Sequence, residues 1–169
     1  MQEKNMKAKL IEGVLWLLCL TVAVLSAITN AEAKETDDLR YMTEAIYFES
    51  GTEPDICKLM VAKVINERVS KSFWKDTVEE VVHQVSKKGT CQFSYYCDNK
   101  PETMDYDSET YRRSYEVANW ALYREDIPDE WFGGADHFIN HALSDKDWHT
   151  DMVFIAKCGG HNFYRSNIK

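Results

Sequence analysis

Proline and glycine are scarce: the 169-residue sequence holds three prolines and seven glycines. No internal repeat or low-complexity tract interrupts it, which speaks against a repeat protein or a disordered one. Positive charge is also short, with 20 Lys and Arg against 28 Asp and Glu and a formal net charge of -8. Affinity for phosphate backbones comes from lysine and arginine displacing counterions, so nucleic acid is not an expected partner. Long apolar runs are missing too. The uncharged run from Val14 to Ile28 has 15 residues, fewer than the ~20 that span a bilayer comfortably.

That run nonetheless has a recognisable frame. Lys4, Lys7 and Lys9 precede it and the small-residue stretch Ala31-Glu32-Ala33 follows it, the order of a secretory leader. Residues 1–33 are therefore expected to be a signal peptide, with a retained signal anchor as the alternative and the membrane reached only through this leader. Cleavage after Ala33 leaves 34–169 as a single domain, large enough for an adequate core. The leader carries equal numbers of lysines and glutamates, so the formal charge of the mature chain is unchanged. Its expected location is exported, periplasmic or secreted, as a monomer.

With Cys19 in the leader, the mature part keeps Cys57, Cys91, Cys97 and Cys158, an even number in a chain bound for an oxidising compartment. Three pairings are formally possible, and four free thiols are the other state. Cys91 and Cys97 bracket a short segment that reads as a hairpin tip, which favours their union and leaves Cys57 for Cys158.

Apolar positions Met42, Ala45 and Ile46 recur at helical spacing from Leu39 to Glu49, and Gly51 stops the run. A second helix, expected to Val69, is announced by Thr52 with Asp55 three residues on and Pro54 in its first turn. Thr77 with Glu80 signals a third, ending by Lys88 and Gly89. The stretch from Thr90 to Lys100 has no helical period and reads as a small hairpin. Ser108 caps a further helix with Tyr111, Tyr115, Ala118 and Leu122 on one side. Short β-prone pieces follow at His137 to Asn140, Met152 to Ala156 and Asn162 to Tyr164. The fold class is α+β, mainly helical with a small sheet or hairpin.

Glu49 lies three, four and seven residues after Ile46, Ala45 and Met42, which puts a carboxyl group on the buried stripe of the first helix. It also sits at the helix C-terminus, where the macrodipole disfavours ionisation as burial does. A carboxyl still protonated near neutral pH is what a general acid needs to protonate the departing oxygen of a glycosidic bond. A helix cap or buried ion pair is the plainer alternative. Glu53 lies beyond the Gly51 break, so its separation from Glu49 is not legible here.

The pattern Ala45-Ile46-Tyr47-Phe48-Glu49-Ser50-Gly51-Thr52-Glu53-Pro54 leads into Val61-Ala62-Lys63-Val64-Ile65 and Arg68. It resembles the spore-cortex-lytic type of cell wall hydrolase, a family also found among phage lysis enzymes. The likeness continues through Val81-Val82, Gln92-Phe93-Ser94, Gly134-Ala135-Asp136-His137-Phe138-Ile139-Asn140, Trp148 and Gly160-His161-Asn162-Phe163-Tyr164. The first glutamate of the family's Glu-Ala-Arg-Gly-Glu block is its catalytic acid, and that position is Glu49 here. The resemblance implies a lysozyme-like fold and cleavage of peptidoglycan glycan strands between N-acetylmuramic acid and N-acetylglucosamine, with no cofactor and no metal. Departures fall at Gly51 in place of the block's arginine, at Cys57 and Lys58 where the next helix opens, and at Glu67 before Arg68.

The favoured chemistry is transglycosylation, which needs one carboxylate. A muramidase hydrolysing the same bond needs a second group, with Glu53 the nearest candidate. Glu53, Phe93, Tyr95, Tyr96, Asn140 and Tyr164 are expected to line the sugar groove. A metal-dependent peptidase or amidase is the rival, through His137 and His141 with His149 and His161 downstream. The β-prone context puts positions i and i+4 about 13 Å apart and weakens it. A non-catalytic envelope-binding protein is the third possibility.

Overall fold

In the computed structural model the described residues are 16, 21, 37–124, 126–142 and 147–167. The chain divides into two units, Met1–Asp37 and Asp38–Lys169. The leader read over 1–33, with Cys19, lies outside the described residues apart from Trp16 and Thr21. All that follows concerns the second unit and the helix that opens it.

Helix α1 covers 37–50. Met42, Ala45 and Ile46 are fully buried, as their spacing requires. At Gly51 the chain leaves the helix so tightly that a Cβ there would overlap the Tyr47 carbonyl oxygen. Helix α2, Asp55–Ser70, is the centre of the fold. Every residue from Cys57 to Ile65 is buried, because α3, α4, β1 and β2 pack around it. Val61, Val64 and Ile65, all fully buried, each contribute about 1.5–3 kcal/mol by leaving water. The expected Thr52 cap is absent. Pro54 occupies the N-cap position with no side-chain hydrogen bond, and its carbonyl accepts from Cys57 and Lys58 N–H.

Helix α3 is only Val78–Val82, with Thr77 Oγ1 accepting from Glu80 N at 3.2 Å. It stops well before Lys88. Beyond it, Val85 makes an isolated bridge with Cys91, so the backbone groups needed to extend the helix are spent elsewhere. The hairpin expected over 90–100 is likewise replaced. Apart from that bridge, the segment coils into a 3-10 turn at Ser94–Cys97, pinned inward by Phe93, fully buried, and by Tyr95, whose ring stacks on Phe48 at 5.0 Å.

Helix α4, Glu109–Tyr123, is capped by Ser108, whose hydroxyl accepts from Tyr111 N at 3.1 Å. Its buried face is Ser114, Val117, Ala118 and Ala121, not the tyrosine stripe, and Tyr115 is 42 % exposed. Small side chains let α4 approach α2, and the phenol hydroxyls stay in water. Strands β1 (His137–Ile139), β2 (Val153–Cys158) and β3 (His161–Arg165) form an antiparallel sheet ordered β1-β3-β2. A bulge interrupts the β2–β3 register between Phe154 and Ala156. The fold is α+β, as the pattern of elements indicated.

Two disulfides brace this unit, one long-range and one local. Cys57 at the start of α2 is bonded to Cys158 at the end of β2, 101 residues away, and Cys91 is bonded to Cys97.

Candidate active site

Glu49 ends α1 on the wall of an open cleft of about 790 Å³. The cleft is bounded by Phe48 and Glu49 from α1, Arg68 from α2, Gln92 before the 3-10 turn and Ser94 at its start, and the stretch His137 to Asn140, with Trp148 and His161. Among the described residues lining it, Glu49 is the sole carboxylate. Burial raises its pKa from 4.5 to about 7, while the backbone N–H groups of Ser94 and Tyr95 and the Arg68 charge pull it down. Desolvation wins because Oε1 is shut off from solvent and has no hydrogen-bond partner among the described residues. An unpartnered buried carboxyl oxygen costs stability, and its natural partner is a group entering the cleft.

The counter-charge is Arg68, which is fully shielded and stacks over Trp74 at 4.5 Å and Phe93 at 5.4 Å. Burial lowers its pKa to about 10, opposed by the charges of Asp136 and Glu49, so it remains a cation at neutral pH. Its Nε donates to the Asp136 carbonyl at 2.7 Å. Burial of Asp136 works to raise its pKa, but donors surround it: His137 Nδ1 at 2.8 Å, Lys71 Nζ at 2.9 Å, Ser166 N at 2.7 Å and the Ser166 hydroxyl. They hold its carboxyl below the usual carboxylate range.

The residues expected to line a sugar groove scatter. Asn140 lines the cleft. Phe93 is fully buried and Tyr95 is 7 % exposed; both belong to the core, where aromatic area is worth most, and neither has a face free for a sugar. Tyr96 is 40 % exposed and stacks on the His83 ring at 4.2 Å, outside the cleft. The Tyr164 hydroxyl pairs with His141 Nε2 at 3.3 Å, and it too lies outside the cleft lining. Glu53 is not among the residues lining the cleft; its Oε1 accepts from Gly160 N at 2.9 Å. His137 lies in β1, so it cannot share a metal with His141 across one helical turn. Among the described residues no group of three His, Cys, Asp or Glu side chains is placed to hold a metal ion.

Periodicity pointed to Glu49 but to none of Arg68, Trp148 or His161; the first two stood out only through the family resemblance, and His161 through that and the histidine set of the metal-dependent rival. Nothing in the sequence marked the Ser94 and Tyr95 amides, because backbone donors have no residue signature.

A helical body, a small sheet and an open cleft between them define an α+β enzyme domain. Residues 52–164 match the family model described as Cell Wall Hydrolase, and the chain belongs to that family. The matched stretch begins just after Glu49 and runs from the entry to α2 through β3. Among solved structures, the catalytic domain of the germination-specific lytic transglycosylase SleB from Bacillus anthracis is similar, with 25 % identity and a TM-score of 0.55, over 76 % of this chain and 93 % of that one. The catalytic domain of the Bacillus cereus SleB protein is similar to the same degree, with 25 % identity and a TM-score of 0.55, over 77 % and 91 % of the two chains. Comparison with curated proteins finds no match.

Proposed function

We propose that this protein cleaves peptidoglycan glycan strands between N-acetylmuramic acid and N-acetylglucosamine as a lytic transglycosylase, with Glu49 as the acid. The observation that carries this reading is a carboxyl of pKa about 7 with an unpartnered oxygen, alone among the described carboxylates of an open cleft. Glu49 protonates the glycosidic oxygen as the muramyl 6-hydroxyl attacks the anomeric carbon. A hydrolase working through a second carboxylate needs one in reach of the same bond. Glu53, the nearest by sequence, is occupied by the Gly160 amide. The Bacillus anthracis relative is a germination-specific lytic transglycosylase, which supports the same choice.

Residues 34–169 would be the mature catalytic domain, monomeric and exported to the cell wall, with 1–33 as a cleaved leader or retained anchor. Digestion of purified sacculi followed by mass spectrometry tests the chemistry. Release of 1,6-anhydromuramyl ends is expected, and reducing ends alone would replace the transglycosylase by a muramidase.

A further inference from the structure

His161 opens β3 and lines the same cleft as Glu49. It is 6 % exposed, with Phe138 edge-on to its ring at 5.2 Å. Nδ1 is closed off from solvent and has no hydrogen-bond partner among the described residues, which leaves Nε2 as the ring nitrogen available to a group in the cleft. A buried imidazole with an unpaired nitrogen is a costly way to fill space, since an apolar side chain would pack there without the desolvation loss. Burial pushes its pKa below the ordinary histidine value, against the pull of Glu53, so the ring is neutral near neutral pH. Glu49 is displaced in the opposite direction in the same cleft, and such a divided pair is how acid and base roles are separated.

The turn that delivers His161 is held from several sides. Glu53 accepts from Gly160 N, the Cys57–Cys158 bridge ties the end of β2 to α2, and a Cβ at Gly160 would meet Asn140 Nδ2 at 2.9 Å. Such restraint suits a group whose position matters to a reaction.

We propose that His161 is a second catalytic residue, the base that takes the proton of the attacking hydroxyl while Glu49 gives one to the leaving oxygen. This rests on the glycan-cleaving reading above. The muramyl O6–H proton passes to Nε2, O6 bonds to the anomeric carbon, the bond from that carbon to the glycosidic oxygen breaks, and the Glu49 proton goes to that oxygen. The imidazolium then returns a proton through solvent to the Glu49 carboxylate. No electron transfer is involved, and both groups end as they began. Of the charged and titratable groups, Glu53 in the α1–α2 loop acts on the ring, and Glu49 in α1, Arg68 in α2 and His137 in β1 line the same cleft.

The test is the pH dependence of kcat/KM on purified sacculi, with 1,6-anhydro ends counted, for the full chain and for His161→Gln and His161→Asn. The wild type is expected to lose activity toward low pH as the imidazole protonates, and toward high pH as Glu49 ionises. Either variant is expected to lose activity by ~10²-fold, to lose the low-pH limb and to keep the high-pH one, with anhydro ends still the product. A wild-type profile flat toward low pH overturns the inference without any variant. So does a variant with near-normal activity, or one that keeps the low-pH limb. A wild type releasing neither anhydro nor reducing ends sinks the glycan-cleaving reading itself, a result distinct from all of these.

Discussion

Glu53 and Gly160, 107 residues apart in sequence, are joined by a 2.9 Å hydrogen bond from the glycine amide to Oε1. The approach is so close that a Cβ on the neighbouring Gly159 would overlap the Glu53 carboxylate. This contact ties the α1–α2 loop to the β2–β3 turn, and with it the segment bearing Glu49 to the segment bearing His161. Glu53 is thereby placed to position that turn. Glu53→Ala should lower stability by about 1.5–3 kcal/mol, the usual worth of a hydrogen bond to a charged group. It should reduce activity without changing the product. Urea unfolding and product analysis check the two halves, and a switch from anhydro to reducing ends in the variant would show that Glu53 directs chemistry.

Glu49 should govern the alkaline side of the activity profile. A general acid must be protonated, so kcat/KM should fall about tenfold per unit once pH rises past about 7. Glu49→Gln should lose at least ~10²-fold at every pH. Near-normal release of muropeptides by that variant would remove the proposed acid.

The same carboxyl makes a stability prediction. Its folded pKa lies above the ordinary value of 4.5, so the favourable contribution is complete below that pH and is lost as pH rises through about 7. The loss is on the order of 3 kcal/mol at about pH 8. Glu49→Gln has nothing to ionise. It should therefore be more stable than the wild type at about pH 8, by an amount that vanishes below about pH 4.5. Paired urea titrations at the two pH values measure this, and equal stability at alkaline pH would mean that the carboxyl is not desolvated.

Arg68 links Glu49 to Asp136, and its charge holds the Glu49 pKa down. Arg68→Met should move the alkaline limb of activity upward in pH. It should also destabilise the fold by about 3–5 kcal/mol, because Asp136 loses a compensating charge in the interior. An unmoved limb in a folded variant would show that the guanidinium does not act on the acid.

Removing the Cys57–Cys158 bridge by paired Ala substitutions should cost about 4 to 5 kcal/mol on the chain-entropy model, and removing Cys91–Cys97 about half that. Thermal unfolding of the two double variants ranks them, and the reverse order would mean that loop closure is not what the long-range bridge supplies.

Several parts of this molecule were legible before folding. The 3.6-residue recurrence of Met42, Ala45 and Ile46 placed Glu49 on a buried stripe, and the β-prone pieces near the C-terminus became the three strands. The failures share a cause. Tyr111 and Tyr115 look apolar along a helix, yet α4 buries Ser114, Val117, Ala118 and Ala121, because the width of the gap to α2 selects small residues. Phe93 and Tyr95 look like sugar platforms, but composition cannot separate an aromatic that fills a core from one that faces a cleft. The 90–100 segment lacks helical period, and only its buried rings decide that it coils rather than pairs.

By itself the sequence determined the α+β character, the buried stripe that carries one glutamate and the even set of cysteines, since these depend on spacing and residue type alone. Tertiary structure decided that Arg68 and two backbone amides act on that glutamate in a cleft that His161 also lines, and that Glu53 accepts from the Gly160 amide. Charge and solvation act through space. The groups that tune one carboxyl come from α2 and the 3-10 segment, and only the packed chain sets the distances between them.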